Sequence, residues 1–141
     1  RQVRQIEHSD LSLLAEVDAK IFGTDRSRVF SSLLRAYPNR AFFSQDSHGH
    51  VTGYIFAQAG RIGPWVMLEP EYGEVLLRAA LSLDFEGTAS AVVPETTPEA
   101  LGLLQRYGFE VLRANRHMAR GSTAVSGQRE KGFAQSSLSL G

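Results

Sequence analysis

The chain has 141 residues with 15 basic and 15 acidic side chains, so its formal net charge is zero. This length suits one domain with its own core, and the neutral balance excludes the bulk basicity typical of proteins that bind nucleic acid. Because the chain has no cysteine, it has no disulfide, thiolate nucleophile or Cys-ligated metal. No long apolar run predicts a membrane span and no signal-peptide profile is present, which favours a cytoplasmic protein. The sequence begins at Arg1 rather than methionine, which indicates processing or a fragment of a longer protein.

The N-terminal segment predicts a strand and then a helix. The strand is expected at residues 3–6. Ser9 or Asp10 is a suitable N-cap for the helix, and Gly23 is a suitable end. Apolar residues fall on one face at helical spacing between these points, namely Leu11, Leu14, Val17 and Ile21.

A second helix is predicted between Asp25 and Pro38. Thr24 or Asp25 can cap it, and the proline stops it because its ring cannot continue a helix. The residues of its apolar stripe are Val29, Phe30, Leu33, Leu34 and Tyr37.

Three strands are predicted next. Segments 41–45 and 51–59 are rich in aromatic and β-branched residues, and the polar loop 46–50 between them predicts an antiparallel hairpin. A third strand of the same meander is expected at 62–68.

The second half of the chain predicts alternating helices and strands. After a helix at 71–83 comes a short strand at 89–93. Thr96 or Thr97 with Pro98 then starts a helix that ends at Gly108. Strands at 109–113 and 115–119 close the fold. The segment 122–141 is polar and aperiodic, and we expect a disordered tail there.

Charge is unevenly distributed along the chain. Residues 41–110 carry three basic and nine acidic side chains, a net of minus six. Most of these acids surround the predicted ligand end of the sheet, namely Glu69, Glu71, Glu74, Asp84, Glu86, Glu95 and Glu99. Acids in a first helical turn complement the helix dipole by about 0.3–1 kcal/mol each, and they also repel a polyphosphate.

The junction at 66–82 runs from an apolar strand through Pro70 and Gly73 into an amphipathic helix. A helix start binds anions when its unpaired backbone N–H groups are accessible. Here the approach to the helix is short and acidic.

The order of elements, together with this junction, resembles the GNAT acetyltransferase superfamily. Three further segments carry the resemblance: Phe22–Arg26, Arg61–Trp65, and Gly108-Phe109 leading to Arg116–Gly121. They are most similar to the degenerate C-terminal half of bacterial tandem-GNAT proteins. The resemblance implies an α+β, α/β/α-layered domain over residues 1–121, with a mixed, mainly antiparallel sheet flanked by about four helices.

The resemblance implies acetyl-CoA as the cofactor, held by a glycine-rich loop before the third helix. That loop is missing here except for Gly73. The cofactor contacts that remain would be mainly backbone groups of Val66, Met67, Leu68, Gly73 and Glu74. We therefore expect weak or no acetyl-CoA binding by the chain alone, and no metal.

The catalytic helix of the resembled family carries a tyrosine that protonates the leaving thiolate. When the sequence is anchored on Gly108-Phe109, Ala100 and Leu103 are in register, but Leu104 occupies the tyrosine position and Thr97 replaces an asparagine. Tyr107 ends an apolar stripe three residues later and is better explained as a core residue.

The candidate bases nearest the junction are Glu69 and Glu71, and Glu69 is otherwise explained as a solvated glutamate before a helix. For substrate contacts the resemblance indicates Asp25, Arg26 and Trp65. Capping explains the aspartate, pairing with a surface acid would explain the arginine, and core packing would explain the tryptophan. His48 and His50 have no third ligand nearby, so they predict a polar loop rather than a metal site.

Together these features predict a GNAT-family N-acetyltransferase domain that acts, at the level of the whole protein, on a small-molecule or peptide amine. An N-terminal GNAT domain or a second copy of the chain is the expected protein partner, and neither nucleic acid nor membrane is expected. The alternatives are a non-catalytic GNAT-like half and a binding or dimerising module without its own acetyl-CoA site.

Overall fold

The computed structural model describes residues 2–91, 98–111, 132–133 and 138–140. Within these residues, eight strands form one mixed sheet that four α-helices flank. The strands are β1 (Gln2–Gln5), β2 (Ala41–Gln45), β3 (Val51–Ala57), β4 (Arg61–Met67), β5 (Ser90–Ala91), β6 (Phe109–Val111), β7 (Gly132–Phe133) and β8 (Leu138–Leu140). The helices are α1 (Leu11–Phe22), α2 (Ser27–Ala36), α3 (Gly73–Leu81) and α4 (Pro98–Arg106).

The sheet has the strand order β1-β2-β3-β4-β5-β8-β6, and β7 pairs with β4 beside this path. Strands β2, β3 and β4 form an antiparallel meander, as the sequence predicts, and β1 pairs antiparallel with β2 at its edge. The contact between β4 and β5 is parallel, and β8 is antiparallel to both β5 and β6. The sheet is therefore mixed and mainly antiparallel, which confirms the predicted fold class.

Local sequence explains the ends of the N-terminal helices. Gly23 ends α1 in the left-handed conformation, with φ of 77°, and its N–H donates to the Ala19 carbonyl. The Asp25 carboxylate accepts the backbone N–H of Ser27 at 2.9 Å, so it satisfies a donor at the start of α2. The apolar stripe of α2 is narrower than predicted, because Val29 is 47% exposed whereas Phe30 and Leu34 are buried.

The hairpin between β2 and β3 is organised by Asp46. Its Oδ1 accepts the backbone N–H groups of His48 at 2.9 Å and His50 at 3.0 Å. These hydrogen bonds, the one from His50 first, lower the pKa of the Asp46 carboxyl. Gly49 has φ of 85°, a conformation that favours glycine. The loop is thus a turn built on one carboxylate.

Two apolar clusters lie on opposite faces of the sheet. Alternate residues of β3 and β4 belong to different clusters, since Ile55 and Trp65 pack with α3 and α4 whereas Tyr54 and Val66 pack with α1 and α2. This arrangement gives the α/β/α layers that the sequence predicts.

Two of the last three strands, β7 and β8, come from a part of the chain where we predicted none. β6 confirms the start of the strand predicted at 109–113, but its partner in the sheet is β8. The strand predicted at 115–119 and the predicted threonine caps at 96 and 97 lie outside the described residues. Both β7 and β8 belong to the segment for which we expected a disordered tail, and a domain boundary at 121 stays a prediction.

Gly53 in β3 permits the close approach of β4 and α3. A Cβ at this position would lie 2.8 Å from the Val66 carbonyl oxygen, 2.9 Å from Met67 Sδ and 3.0 Å from Leu76 Cδ1. We expect Gly53→Ala to lower the free energy of unfolding by about 1–3 kcal/mol, because the backbone oxygen cannot move aside cheaply. Urea denaturation followed by circular dichroism measures this change.

Gly102→Ala is the matched control for this prediction. A Cβ on Gly102 meets nothing within 4 Å, and the residue lies inside α4, so the substitution should raise stability by about 0.5–1 kcal/mol. Equal effects of the two substitutions would contradict the steric explanation.

Candidate functional site

Strands β4 and β5 diverge after a short paired region in the described residues. In the part of the chain that the structure describes, they pair through Arg61 with Ser90 and Ile62 with Ala91. Gly63 follows with φ of 140°, and Pro64 has no N–H to donate to a neighbouring strand. Beyond this point Trp65 and Val66 of β4 pair with the antiparallel β7. On the edge of β4 that faces β5, residues 65–66 therefore pair with residues 132–133.

The junction between β4 and α3 contains an extra turn. Residues Pro70–Tyr72 form a 3₁₀ turn before α3 begins at Gly73. In this turn the Tyr72 N–H donates to the Glu69 carbonyl at 3.0 Å, and the Gly73 N–H donates to the Pro70 carbonyl. Two N–H groups that an anion would need at the helix start are thus bonded within the chain.

The backbone just before this turn is also engaged. The N–H groups of Leu68 and Glu69 both donate to the Thr52 carbonyl, at 2.9 and 3.2 Å. Met67 pairs with Gly53 in the ladder between β3 and β4. The predicted cofactor contacts at Val66, Met67 and Leu68 therefore lie on backbone that has partners in the chain, and Gly73 and Glu74 are the first residues of α3.

An open groove of about 610 Å³ lies between the start of α3 and α4. Its lining contains three carboxylates and one guanidinium, with Pro70, Glu71, Glu74, Glu99, Gly102, Leu103 and Arg106 as the full set. Glu71, Glu74 and Glu99 belong to the acidic segment that the sequence analysis assigns to the ligand end of the sheet, and this assignment stays a prediction. The charge of the groove is negative, so the groove favours a cationic ligand over a phosphate.

Glu74 is tied to the far end of α4. Its Oε1 lies 3.5 Å from Arg106 Nη2, and its Oε2 accepts the Tyr107 hydroxyl at 2.5 Å. The hydrogen bond to Glu74 raises the pKa of Tyr107. The prediction of Tyr107 as a core residue thus needs refinement, because its half-buried ring packs against the core while its hydroxyl reaches the groove wall.

The centre of α4 offers no proton donor at the predicted place. Leu104 is fully buried in the core cluster, and Ala100 beside it is equally inaccessible. Glu69 is exposed and precedes the 3₁₀ turn. Among the described residues, the position where the resembled family has a tyrosine is therefore occupied by the buried side chain of Leu104.

The Asp25–Arg26 corner separates into two unlike parts. Asp25 is exposed and bonded to the Ser27 N–H, whereas Arg26 points into the fold. Arg26 donates from Nε and Nη2 to both carboxylate oxygens of Asp18, at 2.7 and 2.6 Å. Its guanidinium also lies over the Phe22 ring, 4.3 Å from the centroid. The arginine therefore pairs with a buried acid, not with the surface acid considered above.

Asp18 is the polar centre of this corner. Its side chain is fully buried, and it accepts a hydrogen bond from the Tyr54 hydroxyl in addition to the two from Arg26. Burial, followed by the charge of Asp18, raises the pKa of Tyr54. We term Asp18, Arg26 and Tyr54 the buried triad. Sequence analysis missed it, although a carboxylate four residues after Leu14 on the apolar face of α1 indicates a buried partner.

Trp65 is fully buried in the core beneath α3 and α4. Of the two explanations that the sequence leaves open, this position corresponds to core packing. The structure thus does not bring Asp25, Arg26 and Trp65 together as one ligand surface, since the tryptophan belongs to the other core cluster.

Two further observations concern the described residues only. They contain no group of three or more His, Asp or Glu side chains that could hold a metal ion. None of their helices is long and apolar enough to cross a bilayer.

The family of the chain follows from a sequence comparison. The family model described as "Acetyltransferase (GNAT) domain" matches residues 14–134. The chain therefore belongs to the GNAT acetyltransferase family. No curated protein sequence matches it.

Solved structures share the fold at low sequence identity. A GNAT acetyltransferase from Bacillus cereus is 14% identical with a TM-score of 0.66, over 79% of this chain and 84% of its own. Naa20 from Chaetomium thermophilum, in complex with a bisubstrate analogue, is 17% identical with a TM-score of 0.69, over 99% and 85%. A spermidine N-acetyltransferase SpeG chimera from Vibrio cholerae and hSSAT is 13% identical with a TM-score of 0.62, over 99% and 95%.

The buried triad yields a prediction about stability. Arg26→Ala leaves the Asp18 charge buried without its main partner, so the free energy of unfolding should fall by about 3–5 kcal/mol. Arg28→Ala removes an exposed arginine two residues away and should change it by less than about 0.5 kcal/mol. Urea denaturation of both variants measures these changes. Equal small losses in the free energy of unfolding would contradict a buried ion pair between Arg26 and Asp18.

Tyr54 yields a prediction about pH. The pKa of Tyr54 is raised in the folded state from its ordinary value of 10.0. Above pH 10 the folded protein therefore retains the phenolic proton, which the unfolded chain releases. The stability that the phenol contributes is complete below that pH and declines above it, by up to about 1.4 kcal/mol per pH unit.

Tyr54→Phe lacks this proton, so its stability should fall less steeply than that of the wild type above pH 10. Denaturation curves at pH 8 to 11.5 measure both proteins, and Tyr107 is common to them. Equal slopes of stability against pH in the wild type and in Tyr54→Phe would contradict a raised pKa of Tyr54.

Proposed function

We propose that this domain belongs to an N-acetyltransferase that transfers an acetyl group from acetyl-CoA to a small-molecule or peptide amine. We further propose that this chain alone has weak or no affinity for acetyl-CoA. Membership of the GNAT family supports the first statement. The statement about weak affinity depends on the acidic groove and on the bonded backbone amides beside it.

Acetyl-CoA carries a pyrophosphate and a further phosphate, and these groups need N–H donors and positive charge. Two donors of the junction, the Tyr72 and Gly73 N–H groups, are already bonded within the 3₁₀ turn, and the groove beside it has a single guanidinium, that of Arg106. The groove adds the carboxylates of Glu71 and Glu99 to that of Glu74. The residues present therefore do not fit the cofactor, and we assign no step of acetyl transfer to it in this chain.

The same groove suits the other reactant. An amine is cationic at neutral pH, and three carboxylates around an open groove attract it. Glu69 is exposed just before Pro70, which lines the groove, so its carboxylate is our proposed proton acceptor for such an amine. Asp25, also exposed, is a further proposed substrate contact, while Arg26 and Trp65 would act by holding the two cores in place.

A second candidate function is a non-catalytic GNAT-like half or binding module. The burial of Leu104 favours it, because the position of the family's acid is part of the core. In this case an N-terminal GNAT domain or a second copy of the chain would supply the acetyl-CoA site. Both remain proposals, as does the tandem arrangement.

A calorimetric titration with acetyl-CoA tests the proposal. We expect no saturable binding at low micromolar concentrations. The triple variant Glu71→Gln, Glu74→Gln, Glu99→Gln removes three negative charges from the groove, each worth about 0.2–1 kcal/mol at an exposed site, so any residual affinity should rise about tenfold.

Glu16→Gln, an exposed acid on α1, is the matched control and should leave the affinity unchanged. Low-micromolar binding by the wild-type chain would overturn the proposal. A triple variant no different from the control would show that groove charge does not govern affinity.

A further inference from the structure

The edge of β4 is divided between two partners. Its first part pairs with β5 at Arg61 and Ile62, and its later part pairs with β7 at Trp65 and Val66. Gly63 and Pro64 separate the two parts, and proline cannot donate to a partner strand. At Trp65 and Val66 the neighbour on this edge is β7 and not β5, which shows that this part of the edge can pair with an extended backbone from another part of the chain.

We propose that this edge, Trp65–Val66, is an acceptor for an extended backbone and that its occupant is the chain's own segment Gly132–Phe133. While this segment is in place, it excludes other extended ligands from the edge. The pantetheine arm of acetyl-CoA is such a ligand, because it is a linear chain with two amide groups. The C-terminal segment is thus an intramolecular competitor for this edge.

The chain tethers the segment close to the edge. Strand β8 begins five residues after Phe133, and it pairs with Ser90 and Ala91 of β5 as well as with β6. A short tether gives a very high local concentration, in the millimolar range for flexible linkers. Two paired residues can therefore hold the edge, although so short a pairing is weak enough to open.

This inference goes beyond the proposed function, and it can fail separately. It concerns which backbone occupies the β4 edge, whereas the proposed function rests on the charge of the groove and the donors at the start of α3. Its experiments therefore read out backbone pairing and use a ligand without phosphates.

Amide hydrogen exchange, measured residue by residue by NMR, tests the pairing. Gly132→Pro removes the N–H of the segment, and its ring opposes pairing. Gly127→Pro is the matched control, with the same substitution outside β7. Since neighbouring residues of a strand direct their N–H groups to opposite sides, we expect one of the Trp65 and Val66 amides to exchange at least tenfold faster in Gly132→Pro only.

The Tyr54 amide on β3 should be unchanged in both variants, and a peptide with the sequence of residues 129–136 should restore slow exchange in Gly132→Pro. Equal exchange in the two proline variants would overturn the pairing. Millimolar pantetheine should slow exchange at the same amide in Gly132→Pro and have no effect on the wild type. Equal slowing in both proteins would overturn the exclusion.

A cross-link keeps the inference testable if Gly132→Pro does not fold. The chain has no cysteine, so Val66→Cys with Gly132→Cys provides a single pair of thiols at directly opposed positions of the ladder. We expect an intramolecular disulfide under mild oxidation, and far less of it with Val66→Cys and Gly102→Cys, because Gly102 lies in α4 on the other face of the sheet. Equal cross-linking of the two pairs, or cross-linking only between two chains, would overturn it.

Discussion

The divergence of β4 from β5 is the constraint on which the rest of the site depends. Among the described residues, the parallel pairing of β4 with β5 extends to Ile62, and Pro64 has no N–H with which to extend it. The later part of β4 still has β3 on its other side, where Gly53 permits the close packing of the strand beneath α3. One edge of β4 therefore pairs with β3 in the core, while Trp65 and Val66 pair on the other edge with β7.

Several groups near this divergence are engaged within the chain. The 3₁₀ turn before α3 bonds the N–H groups of Tyr72 and Gly73, and Glu74 accepts the Tyr107 hydroxyl. Leu104 is part of the core at the position where the family's acid is expected. These internal contacts support our proposal that the chain alone has weak or no affinity for acetyl-CoA.

Most of the fold could be predicted from local sequence, because its boundaries are set by local chemistry. Gly23 and Gly108 both have the positive φ typical of a helix end, and Asp46 organises the turn between β2 and β3 through its own backbone bonds. The pairing of β4 with β7, and of β8 with β5, could not be predicted, since strand partners distant in sequence leave no periodic pattern.

The candidate site was less predictable than the fold. The charge of the groove follows from the acids of the central segment, but the Asp25–Arg26 pair predicted as one substrate contact has two separate roles. Arg26 is bonded to Asp18, eight residues earlier, because a carboxylate on the apolar face of α1 needs a buried cation. Sequence identifies the residue types, while the direction of each side chain depends on the packing around it.

The central claim is that residues 66–74 mark the GNAT fold without holding acetyl-CoA. The most direct measurement is an NMR titration of the ¹⁵N-labelled chain with coenzyme A, followed at the amides of this segment. The account predicts that the Gly73 and Glu74 amides show no saturable shift up to millimolar coenzyme A. Saturation at those two amides in the micromolar range would contradict it.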